Sequence, residues 1–327
     1  MIHFWAAALA VSLLLYVVLD GFDLGIGMLF AIAPNELARR HMMQSISPVW
    51  DGNETWLVVA AAVLFGAFPL VYSVLLSAFY LPLIVMLLAL ILRGVAFEFR
   101  YRAVGMRRVW DIGFSGGSFV ATFIQGATVG ALVQELPMQG VHYVGGTFGW
   151  LSPFALLCGL GLCLGYALLG AGWLTYKTET DTRDLGYRYM PWLLAGVLLF
   201  LAAATAYALA MQLRVLHRWI ELPAMLVLPL LGLLACGGLV MAIRRRIDWM
   251  PLPMVAVIFA TAFATLAASF LPYMVPFTIT LDQAASPQSS LSFMFWGAGI
   301  VVLPITVIYT LAVYWIFKGK VQLADHD

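Results

Sequence analysis

Apolar residues in this chain come in long, nearly unbroken runs, not in the alternation of a half-buried strand or the one-sided stripe of a soluble helix. A helix that crosses a hydrocarbon core of roughly 30 Å needs about 20 such residues. Nine segments meet that length, at 3–31, 50–68, 74–99, 111–134, 151–176, 189–211, 222–243, 251–273 and 291–317. The second and third are separated only by a turn near Ala67-Phe68-Pro69, and reading through that turn gives eight. The pattern predicts an all-α integral membrane protein, one transmembrane domain over 1–327, with helices one to four and five to eight as two four-helix bundles and the ninth peripheral. Small residues at GxxxG spacing, Gly21/Gly25, Gly113/Gly117 and Gly161/Gly165, let helices approach closely; packing within the chain is the first reading, an interface with another chain the second.

Composition agrees. The chain is 63% hydrophobic and 10% charged, with a mean hydropathy of +0.97, which excludes a water-soluble domain of this length. The first apolar run lacks a basic leader and a small-x-small cleavage site, so it reads as a signal anchor of the kind found in a bacterial inner (cytoplasmic) membrane. With nine helices, Arg39, Arg40, Arg100, Arg102, Arg107, Arg108, Lys177, Arg183, Arg188, Arg244, Arg245, Arg246, Lys318 and Lys320 fall on one side. Arg214 and Arg218 fall on the other, and Arg93 lies inside a helix. The positive-inside rule then puts the N-terminus outside and the C-terminus in the cytoplasm. Because the basic residues are sorted by side and the net charge is only +1, nucleic acid is not expected as a ligand. Cys158, Cys163 and Cys236 lie in apolar helices without ligand spacing and read as small packing residues.

Against this apolar background a few polar groups need a reason. Burying a charge near the bilayer centre costs at least ~2.5–3.5 kcal/mol. Yet DGFDLG, residues 20–25, follows an apolar run from Phe4 to Leu19 that rises about 24 Å. Asp20 is therefore expected in the inner part of the core, with Asp23 one turn closer to the cytoplasm on nearly the same face. The second cluster, PVWDGNETWL at 48–57, opens helix two on the side where helix one ends, so Asp20, Asp23, Asp51 and Glu54 can gather there. Two readings stand side by side. In one, Asp51 or Glu54 caps helix two while Asp20 and Asp23 pair with Arg93 or a loop arginine. In the other, the carboxyl groups form a proton-conducting entry. Arg93, Glu98 and Arg100, in LRGVAFEFRYR, read as a structural ion-pair group.

Histidine supplies an informative negative. His3, His41, His142, His217 and His326 all sit at or beyond helix ends, whereas a transmembrane haem takes axial ligands from helix interiors. No metal constellation, nucleophile–base pair or phosphate loop is legible, so redox chemistry is not expected of this chain alone and no cofactor is assigned to it.

At these residues the sequence resembles subunit II of the bd-type quinol oxidases, a group that includes the cyanide-insensitive oxidases. The similar stretches are DGFDLGIGML (20–29), SISPVWDGNETWL (45–57), FYLPLIVMLLALILRGVAFEFR (79–100), YMVPFTITLDQAASPQSSLSF (273–293) and LPITVIYTLAVYWIFKGK (303–320). The resemblance implies a heterodimeric membrane enzyme that oxidises quinol and reduces dioxygen to water. Haems b and d would belong to the partner, subunit I, and this chain would be its haem-free relative. It leaves room for small accessory subunits and for a quinone with a structural role. It further implies that Asp20 and Asp51, with Glu54 and Asp23, line a cytoplasmic proton route to the partner's haems. Asn53 would orient a carboxylate or water there, and Trp50 and Trp56 would be interface anchors or subunit contacts. Asp282 is expected to organise an outer loop. An independent proton-coupled carrier is the competing reading; it would need broken helices around a central site. A cytochrome with methionine-ligated haem is a third.

Overall fold

The computed structural model describes residues 1–103, 105–215, 219 and 223–321. His217, Arg218 and His326, used above in the histidine and charge readings, lie outside the described residues, as does Leu222 at the start of the expected seventh span.

Apolar length forms the helices and polar punctuation ends them. Helix α1 covers Ile2–Phe30, α2 Glu36–Ile46, α3 Trp50–Ala67, α4 Pro69–Arg100 and α5 Arg107–Val133. A small antiparallel hairpin follows, β1 (Met138–Gln139) with β2 (His142–Tyr143). Helices α6 (Pro153–Lys177) and α7 (Thr180–Ala210) come next, then a 3-10 turn at Pro223–Leu226 leading into α8 (Val227–Arg245), and α9 (Pro251–Phe270). A second hairpin, β3 (Tyr273–Val275) with β4 (Ile279–Thr280), precedes the short α10 (Leu281–Ala284). Helix α11 (Gln288–Met294) passes through a π-helical turn at Phe295–Gly299 into α12 (Ile300–Ile316).

Eight of the described helical stretches are long and apolar enough to cross a membrane. Helix α3 has 18 residues but falls short in apolarity because its first two turns carry Asp51, Asn53 and Glu54. The doubtful turn is a true break. Phe68 leaves helical geometry and Pro69 opens α4. Ser286 caps the end of α3: its backbone N–H donates to Ala67 O at 2.8 Å and its hydroxyl to Gly66 O at 2.9 Å. Helix α7 begins nine residues before its expected start, because its polar first turns continue beyond the apolar segment.

Helix α1 packs on α3 and α5, and α4 on α5; α6 packs on α7 and α9, and α8 on α9. These are two four-helix groups joined where α5 and α1 lie against α6. Helix α12 buries none of its residues and lies outside both. The close α1–α6 crossing depends on glycine. A Cβ on Gly25 would fall onto the Tyr166 carbonyl, and one on Gly170 would meet the Gly25 backbone at 2.6 Å. The three GxxxG pairs all face neighbours within the chain: Tyr166 for Gly21 and Gly25, α4 for Gly113 and Gly117, and Phe200 and Phe259 for Gly161 and Gly165.

Helix α2 was not foreseen. Asn35 Oδ1 caps it by accepting from the Ala38 N–H at 2.8 Å, and Ala38, Met42 and Ile46 bury one face. Its 11 residues are too few to register as a membrane span.

Gly25→Val should force α1 and α6 apart and lower stability by at least about 1–3 kcal/mol. Gly237→Ala, where nothing lies within 4 Å of a new Cβ, should be neutral or mildly stabilising. Thermal unfolding and assembly yield of the purified protein check both.

Candidate functional site

The buried side of α1 changes character along its length. Trp5 and Leu9 are apolar; Ser12, Tyr16, Asp20 and Asp23 then follow at helical spacing on the buried face. The outer residues belong to one hydrophobic cluster, with Phe68, Val71 and Leu291. Phe22 and Leu24 belong to another, with Met42, Phe97 and Trp173, towards the end where the basic residues gather. Asp20 lies at the junction, with no exposed surface.

Its partner is Arg93 of α4, itself 1% exposed. Arg93 Nη1 lies 3.3 Å from Asp20 Oδ1 and 3.7 Å from Glu54 Oε2 of α3. The guanidinium is 6.0 Å from the centre of the Trp50 ring, within cation–π range. Asp23 is reached by Asn53, whose Nδ2 donates to Asp23 Oδ2 at 2.7 Å and to the Leu19 carbonyl at 3.4 Å. Tyr314 of α12 donates to Asn53 Oδ1 at 2.9 Å and closes a narrow crevice beside Gly52 and Tyr309. One guanidinium thus pairs with two carboxyl groups, and the third, Asp23, is held beside them by Asn53. Asp20 Oδ2, Asp23 Oδ1, and Arg93 Nε and Nη2 are buried without a protein hydrogen-bond partner.

Towards the other end of the bundle the site is bounded by a directed chain. Tyr166 OH donates to Gln125 Oε1 at 3.2 Å, and Gln125 Nε2 donates to Tyr16 OH at 2.8 Å. Tyr16 lies one turn before Asp20 on the same buried face of α1.

The structure therefore brings Asp20, Asp23, Glu54, Asn53 and Arg93 together, and Trp50 flanks them. Asp51 is not among them. It sits in the first turn of α3 on the exposed face shared with Thr55, Val58 and Phe65. Neither Asp51 nor Glu54 caps α3, whose N-cap is Val49 without a side-chain bond. Trp56 departs from its expected role: it is 2% exposed, so it is neither an interface anchor nor a subunit contact. The expected Arg93–Glu98–Arg100 group is two separate clusters. Arg100 donates to Glu36 Oε2 at 2.9 Å and pairs closely with Asp111, over the Phe30 ring. Partial burial pushes the Glu36 carboxyl up, but the hydrogen bond and charge of Arg100 outweigh it and hold that carboxyl below its ordinary range. Glu98 is exposed on the opposite face of α4. At the start of α10, Thr280 and Gln283 form a capping box and Asp282 is exposed, so the capping pair, not Asp282, organises that turn.

Tyr16, Gln125, Tyr166 and Tyr314 were missed. Gln125, the only amide within α5, was the available signal; Tyr314 gave none, because its helix carries no charged or amide side chain. Among the described residues no three His, Cys, Asp or Glu side chains converge as a metal site. His3 and His142 are exposed; His41 departs from the expected place at a helix end, because it lies half-buried in the middle of α2, 3.4 Å from the Thr182 hydroxyl.

Arg93→Met would leave buried carboxylates without their cation and should destabilise the protein by about 3–5 kcal/mol. Asp20→Asn in the same chain should recover part of that loss. A double-mutant cycle read by thermal unfolding measures the coupling.

The sequence model of the family described as cytochrome bd terminal oxidase subunit II matches residues 1–317. The chain is 30% identical to the cytochrome bd-I ubiquinol oxidase subunit 2 of Escherichia coli, covering 98% of this chain and 95% of that one. It is 29% identical to the cytochrome bd ubiquinol oxidase subunit 2 of Bacillus subtilis, covering 97% and 96%. A probable cytochrome oxidase subunit 2 of Haemophilus influenzae is 40% identical over 188 residues, 55% of this chain and half of that one. In fold the chain is similar to the bd oxidase structure from Geobacillus thermodenitrificans, with a TM-score of 0.76 at 17% identity over 97% of this chain and 98% of that one.

Proposed function

Because this chain belongs to the cytochrome bd terminal oxidase subunit II family, we propose that it is the haem-free scaffold of a quinol:dioxygen oxidoreductase and carries protons from the cytoplasm to a haem-bearing partner subunit. The observation that carries this reading is a cluster of three carboxyl groups with one buried arginine, two paired with it and Asp23 held by Asn53, at the end of the bundle where the basic residues collect. The positive-inside rule makes that end cytoplasmic.

The chemistry follows from charge count. One fixed cation balances one carboxylate, so a group of three has neighbouring protonation states of similar energy and can pass a proton among its members. The open hydrogen-bonding positions on Asp20, Asp23 and Arg93 are the places where waters link such groups. Asp51 extends the series sideways. It lies one turn before Glu54 and on an exposed face that beyond Thr55 becomes apolar, with Val58 and Phe65. A carboxylate at the edge of such a face suits a partner subunit docked there. Outward passage is hindered by Gln125, because an amide relays a proton only through a high-energy tautomer. Protons entering at the basic end are thus directed to the partner and not across the membrane.

Asp20→Asn, Asp51→Asn and Glu54→Gln should each lower quinol oxidase turnover at least about tenfold while the assembled complex keeps its haem absorption spectrum. Full turnover in all three variants would leave the chain a scaffold only.

A further inference from the structure

A second polar site lies at the basic end of the other bundle, where α7 begins and α8 ends. Asp184, Tyr187, Arg188, Ile243 and Arg246 line a groove of about 330 Å³ there. Tyr187 is its buried floor. The Arg246 guanidinium lies 5.3 Å from the centre of its ring and that of Arg183 5.7 Å, while its hydroxyl donates to Asp248 Oδ1 at 3.0 Å. Arg246 is held in the left-handed region at φ 52°, a conformation that favours glycine at a helix C-terminus. An arginine there aims its side chain into the groove at the expense of backbone comfort.

The charges are unevenly paired. Asp248 takes Arg183 at 3.0 Å and Lys320 at 3.1 Å, and exposed Asp184 takes Arg246 at 3.1 Å. Arg188 is exposed and makes no ion pair among the described residues. From Arg188 the same face of α7 runs through Trp192, Ala195 and Leu199, at spacings of four, three and four residues. Trp192 is 77% exposed and Leu199 72%, and α8 presents Leu234, also 72% exposed. Helices α7 and α8 touch only lightly, so an apolar seam leads from the cationic groove into the membrane.

From this juxtaposition we infer that the α7–α8 groove binds the phosphate of an anionic phospholipid from the leaflet at the basic end, with Arg188 and Arg246 as its cationic contacts and the acyl chains along the Trp192–Leu199 stripe. Guanidinium groups make charge-assisted, bidentate hydrogen bonds to phosphate oxygens, and basic pockets between membrane helices bind anionic lipid head groups. The groove is larger than a bare phosphate requires, and its continuity with the apolar seam favours a lipid over a soluble phosphate. This inference does not depend on the proton route.

The test is lipid titration of the purified, delipidated complex, read by native mass spectrometry. Phosphatidylglycerol should bind the wild type on the order of 30-fold more tightly than Arg188→Gln/Arg246→Gln. Arg108→Gln, a basic-end variant outside the groove, should behave as wild type, and phosphatidylcholine should not compete. If the double variant does not assemble, Arg188→Gln alone, which breaks no ion pair, should lose about fivefold. Unchanged affinity in the groove variants, or equal binding of phosphatidylcholine, would overturn the inference. Full displacement of phosphatidylglycerol by millimolar inorganic phosphate would make the groove a soluble-anion site and overturn it as well.

Discussion

An arginine buried inside a membrane bundle constrains everything near it. Arg93 has almost no exposed surface, and its desolvation can be offset only by anions brought to it. Asp20 and Glu54 supply them from two other helices, so the ion pairs fix α1, α3 and α4 against one another in depth and rotation. In lipid this matters more than in water, because apolar helix faces gain little by exchanging lipid for one another. The surplus of carboxyl groups over cations is what separates this cluster from a purely structural ion pair. A structural pair would be neutral with every buried atom engaged, whereas four polar atoms here remain without a protein partner.

The same cluster divides the interior. On α1 the buried face is apolar as far as Leu9 and carries Ser12, Tyr16, Asp20 and Asp23 from there on, with Phe22, next to Asp23, stacked on Trp173 at 4.0 Å. The polar stretch is bounded towards the basic end by Asn53 and Tyr314, beside the narrow crevice, and at the other by Tyr16, Gln125 and Tyr166. The two ends differ in kind. A tyrosine above a crevice can rotate its hydroxyl, while the amide between two tyrosines is fixed by a donor on one side and an acceptor on the other. Asymmetry of this sort gives a polar pocket inside a membrane a direction.

Much of this was legible in the sequence because membrane folding is governed by length and by the scarcity of charge. Long apolar runs gave the spanning helices, and two acidic clusters at the adjoining ends of helices one and two predicted that Asp20, Asp23 and Glu54 would meet. Asp51 shows the limit of that logic. It lies only three residues before Glu54, yet α-helical geometry at Trp50–Glu54 turns Asn53 and Glu54 inward and Asp51 outward. Trp56 misled for a related reason, since its size suggested an interfacial anchor while its helical phase, three residues after Asn53, buries it. The charge series Arg93, Glu98, Arg100 read as one group because it is compact in sequence. On a helix those positions face different neighbours, and the true partner of Arg100, Glu36, lies 64 residues away on a short helix too brief for any hydropathy window. Tyr314 was invisible for the simplest reason: nothing local says that a tyrosine in an apolar helix will meet an asparagine 261 residues distant.

Helix α12 makes the dependence on polar contacts explicit. With none of its residues buried, it has little packing of its own to hold it against the bundles. It is instead hooked at three levels. Ahead of the π-helical turn, Trp5 Nε1 donates to the Leu291 carbonyl at 3.1 Å. Near the far end Tyr314 donates to Asn53. Beyond the helix, Lys177 donates to the Phe317 carbonyl and to that of Gly319 at 2.9 Å, satisfying groups that a helix C-terminus leaves open. Lys177 also lies 5.5 Å from the Trp173 ring centre, and Trp173 stacks on Phe22 beside Asp23. The outermost helix is therefore tied to the same few side chains that surround the carboxyl cluster. Its position and the geometry around Asp23 rise or fall together, which is how a helix with no core of its own becomes part of the site.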